Sequence, residues 1–428
     1  MSGPMSETLT VGRIATIQGQ LRPPSDKSLT HRAYILGSIA AGVSKVHGPL
    51  RAEDCDATLR CLSQMGLHVE ESEDGFELHP SDWHSPQTEL DCGNSGTTMR
   101  LLAGLVASRD IEAVLNGDES LSRRPMGRIA EPLRMMGARI DGDHPPLRIK
   151  GAHLEGIRYS SPVASAQVKS CLLLAGLRAK GETWISEPAK SRDHTERMLA
   201  AAGVQVQLDD GQVGVQGGAV VQPFEFSVPG DISSAAFFMV AAAILPDGDV
   251  QLNDVGLNPT RTGVLDVLAE AGVGIQVFPR ASALGEPVGD VHVWRQDVPR
   301  SFEIGGSLVP RLIDEIPALA VLASQCDGVT TIRDASELAV KESDRIAAIC
   351  DNLAAMGVKV EPKHDGMKVW GPARLKGTQV DARGDHRIAM AFAIAGLIAE
   401  GRTTIRGAHN ISTSFPDFEN ALWRLAVV

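Results

Sequence analysis

The chain places cations where helices should begin. Residues 23–42, PPSDKSLTHRAYILGSIAAG, open with two prolines and Ser25-Asp26, which can stop an extended segment and cap a helix. The stretch then runs apolar through Ala33, Tyr34, Ile35, Leu36, Ile39 and Ala40 to Gly42. Lys27 and Arg32 fall in the first two turns, where the helix dipole disfavours a cation by roughly 0.3–1 kcal/mol. Their presence calls for a negative partner. Unpaired backbone N–H groups, the Ser28 hydroxyl and two cations together suit a phosphate or a carboxylate.

The same arrangement returns further along. Asn94, Ser95, Gly96, Thr97 and Arg100 belong to GNSGTTMR, a glycine-hydroxyl turn at a helix start that reads equally as an anion cradle or a plain tight turn. Arg123-Arg124 precede Pro125, a suitable first helical residue, and read as anion-binding cations or a solvated face. Ser165, Ala166 and Gln167 open another apolar helix, with groups suited to a polyol or phosphate. Arg192-Asp193-His194-Thr195-Glu196 begin a further helix, in which Asp193 and Glu196 suit a capping pair.

In the C-terminal half, Asp314-Glu315 stand before Pro317 and an apolar run, as a helix cap or, among cations, a general base. Lys341, Glu342, Asp344 and Arg345 form the densest charge cluster, and the four-residue spacing lets Lys341 and Arg345 share one helical face. Asp385-His386-Arg387 repeats the theme at the start of the last buried helix. The chemistry this set suits is proton transfer by one or two carboxylates on a small, multiply anionic substrate. No Walker A, GxGxxG, HExxH or nucleophile elbow occurs, so chemistry without cofactor or metal is expected.

Six similar elements must position these residues. Apolar helices with polar or glycine caps begin near Ser25, Gly93, Ser165, Asp231, Leu312 and Asp385. A second, amphipathic helix follows in each interval, ending at Gly66, Gly137, Gly203, Gly272 or Gly357 before an alternating strand. The C-terminal helix after Phe415-Pro416-Asp417 would be the sixth of these. Six copies of a small α/β unit, packed as two domains of three, account for the pattern better than a solenoid of 20–50-residue repeats.

Composition narrows the function. The 428 residues are 43% hydrophobic and 22% charged, ordinary for a globular protein of two domains. A formal net charge of −12 disfavours a broad grip on nucleic acid or anionic membrane, so the anion site must be local. Six cysteines without CxxC spacing and no 18-residue apolar run read as structural thiols in a cytoplasmic protein.

PPSDKSLTHR, GNSGTTMRLL, SRRPM, SAQVKS, SRDHTERML, VPGDISSAAF, LIDEIPALA, LAVKESDRI, GDHRIAMA and TSFPDF resemble, in order and over nearly the whole chain, the signature segments of the 5-enolpyruvylshikimate-3-phosphate synthase family. SAQVKS and RDHTE look like its second, divergent bacterial class. The resemblance implies an α/β, two-domain enolpyruvyl transferase fold of six βαβαββ units, three per domain, described as an inverse α/β barrel. It also implies a discontinuous domain (1–23 plus 233–428), an inserted domain (24–232) and an active site in the interdomain cleft. The implied reaction moves the enolpyruvyl group of phosphoenolpyruvate to the 5-hydroxyl of shikimate 3-phosphate, on the route to chorismate and the aromatic amino acids.

Carried over by motif, Lys27, Ser28, Arg32, Ser165, Ala166, Gln167, Arg192, Asp314 and Lys341 would bind shikimate 3-phosphate. Lys27, Asn94, Gly96, Arg124, Gln167, Arg345, His386 and Arg387 would bind phosphoenolpyruvate. Asp314 would accept the hydroxyl proton, Glu342 would protonate the methylene carbon, and Lys27 would assist. No cofactor or metal is implied, the partners are the two small substrates, and the chain is expected to act as a monomer. The inhibitor glyphosate is expected at the phosphoenolpyruvate site. An alanine in place of Gly96 is associated with tolerance, so retention of Gly96 implies sensitivity or only moderate tolerance. Ala166, Glu337 and Thr413 depart from residues common in the family, serine, asparagine and lysine respectively. The alternatives are the sister transferase acting on UDP-N-acetylglucosamine, which KESDR and DHR fit less well, and a non-catalytic anion-binding repeat protein, which would gain nothing from Asp314 and Glu342.

Overall fold

The computed structural model of the chain describes residues 6–427. The chain divides into two compact units. Ser25–Pro229 with Ser282–Glu286 form an inserted unit; the chain up to Pro24, Gly230–Ala281 and the chain from Pro287 onward form a discontinuous unit. Ser282–Glu286 belongs to the inserted unit despite its place in the sequence, and Glu286 there meets His194 Nδ1 at 2.9 Å.

Each unit contains three apolar helices. They are Lys27–Gly37, Gly96–Ala107 and Ala166–Gly176 in the inserted unit, and Ile232–Ile244, Ile316–Ala323 and His386–Gly396 in the discontinuous one. Every residue of Ile232–Ile244 is buried, as a helix that is apolar all round requires. Small residues allow close contact between such helices. A Cβ on Gly104 would stand 2.2 Å from the Cys171 carbonyl oxygen, so the second and third helices of the inserted unit meet backbone to backbone. Five of the six are capped as the sequence suggests: the side chains of Asp26, Ser95, Ser165, Asp231 and Asp385 accept from helical amides.

The second helix of each of the first five repeats has one apolar face and stops at glycine. Gly66, Gly137, Gly203, Gly272 and Gly357 have φ of 120°, 109°, 83°, 81° and 88°, a region that favours glycine and turns the chain into the following hairpin. The sixth such helix, Phe418–Leu425, follows Phe415-Pro416-Asp417 as expected.

Among the described residues the strands form six sheets of three to five strands. In the sheet of the third repeat, Arg158–Ser160 and Glu182–Ser186 run parallel on either side of a buried helix, and Glu182–Ser186 pairs antiparallel with Gln212–Gln216 of a hairpin. Two sheets exchange strands along the chain. Thr16–Leu21 precedes the first buried helix yet pairs with Asp249–Gly256, after the fourth; Glu225–Ser227 precedes the fourth yet pairs with Ser44–His47, after the first. This exchange carries the chain from one unit to the other and back. The six sheets are open and separate, so the inverse barrel suggested by resemblance is not a closed one: buried helices rather than continuous strand pairing fill each unit.

Among the described residues no helix is long and apolar enough to cross a membrane. All six cysteines are buried and form no disulfide.

Candidate active site

The candidate residues of the inserted unit gather at the starts of its buried helices. Lys27 begins the first helix, where its ammonium meets Asp54 Oδ2 at 2.9 Å, and Ser28 follows it, partly exposed. Asp54 lies in the acidic first turn of Glu53–Gln64, so a neighbouring helix supplies the anion that the dipole argument demands. Arg32 is buried. Its Nε donates to Thr195 Oγ1 at 2.8 Å, its Nη2 to Ser170 Oγ at 3.0 Å and its Nη1 to the Ser28 carbonyl at 3.0 Å. Burial pulls its pKa down to about 10 against the pull of Glu196, Asp26 and Glu286, and nearby Arg192, itself partly exposed, adds to the fall. At neutral pH the guanidinium remains charged.

The second helix brings another group together. Arg124 Nη2 donates to Asn94 Oδ1 at 2.7 Å, and Asn94 Nδ2 donates to Asp118 at 2.6 Å. A Cβ on Gly96 would stand 3.2 Å from Arg100 Nη1 and 3.3 Å from Arg124 Nη1, so this glycine leaves room for two guanidinium groups. Arg100 Nη1 donates to Gln167 Oε1, and Gln167 Nε2 donates to Thr97 Oγ1 at 2.9 Å, which ties the starts of the second and third helices. Ser165 caps the third helix and Ala166 is its first residue. The Ser165 amide donates to Glu187 at 2.9 Å, and Glu187 and Glu196 each meet the buried Lys169 ammonium at 2.8 Å. Burial pulls the Lys169 pKa down, but the two carboxylates outweigh it and leave it raised.

In the discontinuous unit one guanidinium organises the site. Arg345 is fully buried; its Nε pairs with Asp385 at 2.7 Å, its Nη2 with Glu342 at 2.6 Å and its Nη1 with Asp314 at 3.1 Å. Burial lowers its pKa, and Asp385, Glu342 and Asp314 together raise it further, so Arg345 is permanently cationic. Asp314 also lies 3.4 Å from Lys341 Nζ and 3.9 Å from Arg387 Nη2, and Arg387 Nη1 donates to its carbonyl. The helix Ile316–Ala323 follows directly. His386 is the buried first residue of His386–Gly396, and the adjacent Asp385 caps that helix.

The structure revises several local readings. Arg123 ends a short helix, Glu119–Ser122, and Pro125 precedes the N-cap Met126, so Pro125 is not a first helical residue. Asp193 and Glu196 do not form a capping box: Asp193 pairs with Lys190 and Arg197, while Glu196 is drawn to Lys169. Glu315 makes no cap either and accepts from Ser233 Oγ. Lys341 and Arg345 share no helical face, because Arg345–Ala355 begins at Arg345 and Lys341 is extended; they meet instead on Asp314. The pattern of cations at helix starts does not mark Asp54, Glu187 or Lys169. The acidic run Glu53-Asp54-Cys55-Asp56 opening a helix was a usable signal for Asp54; nothing local marks Glu187.

A surface cavity of about 1040 Å³ lies on the inserted unit between Pro86 and Lys150, and none of the candidate residues lines it. Four cations, Arg134, Arg139, Arg148 and Lys150, line that cavity, whereas the candidate cations lie at the starts of the buried helices and beside Asp314.

The match to known proteins spans the whole architecture. The profile of EPSP synthase (3-phosphoshikimate 1-carboxyvinyltransferase) matches residues 11–422. A 3-phosphoshikimate 1-carboxyvinyltransferase of Brevibacillus brevis is 47% identical over 98% of this chain and all of its own length. One from a Geobacter species is 48% identical over 97% of this chain and 98% of its own. Among solved structures, an EPSP synthase from Acinetobacter baumannii superposes with a TM-score of 0.87 at 42% identity, covering 98% of each chain. The enolpyruvyl transferase NikO from Streptomyces tendae shares the fold at 18% identity with a TM-score of 0.78, over 98% of this chain and 97% of its own. With this agreement in sequence, in fold and in the motifs that hold the cations, the chain belongs to the EPSP synthase (3-phosphoshikimate 1-carboxyvinyltransferase) family.

Proposed function

We propose that this chain is a transferase that moves the enolpyruvyl group of phosphoenolpyruvate onto the 5-hydroxyl of shikimate 3-phosphate, releasing phosphate, in the biosynthesis of aromatic amino acids. Family membership supports the reaction. The observation that carries the chemistry is the Arg345 cluster, in which two candidate proton-transfer carboxylates, Asp314 and Glu342, sit on one buried guanidinium.

Lys27, Ser28, Arg32, Ser165, Ala166, Gln167, Arg192, Asp314 and Lys341 bind shikimate 3-phosphate in this reading. Lys27, Asn94, Gly96, Arg124, Gln167, Arg345, His386 and Arg387 bind phosphoenolpyruvate. The ion pairs these cations now make are ones a phosphate or carboxylate can replace. When the phosphoenolpyruvate carboxylate draws on Arg345, Glu342 loses a stabilising cation, which favours its protonated form and makes it a competent acid. Glu342 gives that proton to the methylene carbon, and the adjacent carbon gains positive character. The 5-hydroxyl attacks there while Asp314 takes its proton, giving a tetrahedral ketal. Glu342 then recovers a proton from the new methyl group, the carbon–oxygen bond to phosphate breaks, and the proton held by Asp314 leaves with phosphate. The fixed cations stabilise charge as it develops.

Glyphosate acts at the phosphoenolpyruvate site in this reading, and Gly96 keeps the enzyme sensitive or only moderately tolerant. An inhibition constant far above the phosphoenolpyruvate KM would contradict that. The protein works as a monomer in the cytoplasm, a placement supported by six cysteines that form no disulfide.

The test is phosphate release from phosphoenolpyruvate with shikimate 3-phosphate or UDP-N-acetylglucosamine as acceptor. Release is expected with shikimate 3-phosphate alone. Release only with the nucleotide sugar would move the chain to the sister activity, and release with neither would remove the catalytic reading.

A further inference from the structure

A second cluster of chemically capable side chains lies on the hairpin of the first repeat, and the reaction does not use it. His68–Glu71 pairs antiparallel with Gly75–His79 in a register that sets His68 directly opposite His79 and Glu70 directly opposite Glu77. Side chains alternate along a strand, so these four project from one face as a two-by-two block. Between them Val69 faces Leu78, which is fully buried and anchors the other face. His68–Glu71 is the edge strand of its sheet.

Such a block needs a cation. Two carboxylates directly opposite each other across a ladder repel. Lys45 answers part of this charge, its Nζ meeting Glu77 Oε1 at 2.9 Å, and His68 Nε2 lies 3.1 Å from Glu70 Oε1. His79 Nε2 points between the two carboxylates, 3.8 Å from Glu70 Oε2 and 3.9 Å from Glu77 Oε2. The ligand atoms of Glu70, Glu77 and His79 lie within 4.8 Å of one another. Nitrogen and oxygen ligands about 2.0–2.2 Å from a tetrahedral zinc stand about 3.4 Å apart, so small side-chain rotations would close the observed spacing. The His68 ring, centred 5.5 Å from that of His79, can supply the fourth ligand; its side chain is 67% exposed and has room to turn.

We propose that His68, Glu70, Glu77 and His79 form a binding site for a divalent cation of the zinc class. Two imidazoles with two carboxylates suit zinc, with nickel and copper as competitors, and do not suit magnesium or calcium, which take oxygen ligands. The bound ion replaces the His68–Glu70 contact, relieves the Glu70–Glu77 opposition and ties the edge strand to its neighbour.

Zinc titrated into the full chain at neutral pH, followed by calorimetry, tests the site. One zinc per chain is expected to bind most tightly, with affinity at least about tenfold weaker in Glu70→Gln and in the His68→Ala, His79→Ala double variant. Cobalt in place of zinc should give the intense visible bands of a four-coordinate site in the wild type only. Zinc should also raise the thermal midpoint of the wild type and not of the variants. Zinc affinity of the wild type equal to that of the double variant, or no binding at all, would overturn the proposal. His68 and Glu70 are exposed, Glu77 and His79 are half-buried, and all four lie outside the candidate active site, so catalytic activity serves as the check that each variant folds.

Discussion

Arg345 shows how a single residue can hold a site together. It is fully buried, and its partner Asp385 is also fully buried, so removing the guanidinium leaves a carboxylate with neither water nor a counter-charge. Arg345→Met should therefore destabilise the fold by about 3–5 kcal/mol. The sign of its pH dependence follows. Without Arg345 the buried carboxylates favour their protonated forms more in the native than in the unfolded state, so the variant should regain stability as pH falls toward about 4. Denaturant unfolding at several pH values checks this; a variant whose deficit is the same at every pH would contradict it. Gly96 argues the other way, through space rather than charge. A methyl there presses on the movable ends of Arg100 and Arg124 rather than on backbone. Gly96→Ala should fold with stability within about 1 kcal/mol of wild type. Its phosphoenolpyruvate KM should rise, with a larger rise in the glyphosate inhibition constant. An unchanged ratio of the two constants would show that the guanidinium groups have not moved.

Between elements, the buried helices are fastened by polar contacts that link distant residues. His31 Nδ1 meets Thr58 Oγ1 at 2.7 Å, Thr58 meets Thr98 at 2.6 Å, and three helices are joined in that chain. Burial, with Lys27 and Arg32 nearby, holds the His31 pKa well below its usual value. The unfolded chain thus takes up a proton that the fold refuses, and His31 contributes stability that is lost as pH falls below about 6.5. His31→Gln should flatten this part of the stability profile, measured by thermal unfolding between neutral pH and about pH 5; parallel profiles would exclude His31 as the source. Lys169 fastens the third helix in the same way. Lys169→Met leaves Glu187 and Glu196 buried without their cation and should cost about 3–5 kcal/mol. The raised pKa of Lys169 keeps the triad in place until pH exceeds its usual value of 10.5, so the deficit of the variant should shrink only on strong alkalisation. Here the limits of the sequence are physical. The helix starts were legible because caps and dipoles act within four residues. The pairing of Arg32 with Thr195, 163 residues away, and of Ser165 with Glu187 depends on packing that no local rule encodes.

Across the whole molecule, the sixfold repeat was readable because the helix–glycine–strand punctuation recurs, and its period follows from chain chemistry alone. The family resemblance implies a discontinuous domain, but the pairing of Thr16–Leu21 with Asp249–Gly256 and of Glu225–Ser227 with Ser44–His47 is not legible in the sequence, since a strand's sequence does not name its partner. The openness of the sheets was not readable at all. With a net charge of −12, the protein should pass through a heparin column at low salt; retention would mean a basic surface that the charge balance does not suggest. The most direct test of the proposed chemistry is the turnover of Asp314→Asn and Glu342→Gln, which keep side-chain shape and remove proton transfer. With both substrates saturating, kcat should fall by about 10²–10⁴-fold in each, with thermal stability reported alongside. Turnover within about threefold of wild type in a folded variant would show that the altered carboxylate moves no proton in the reaction.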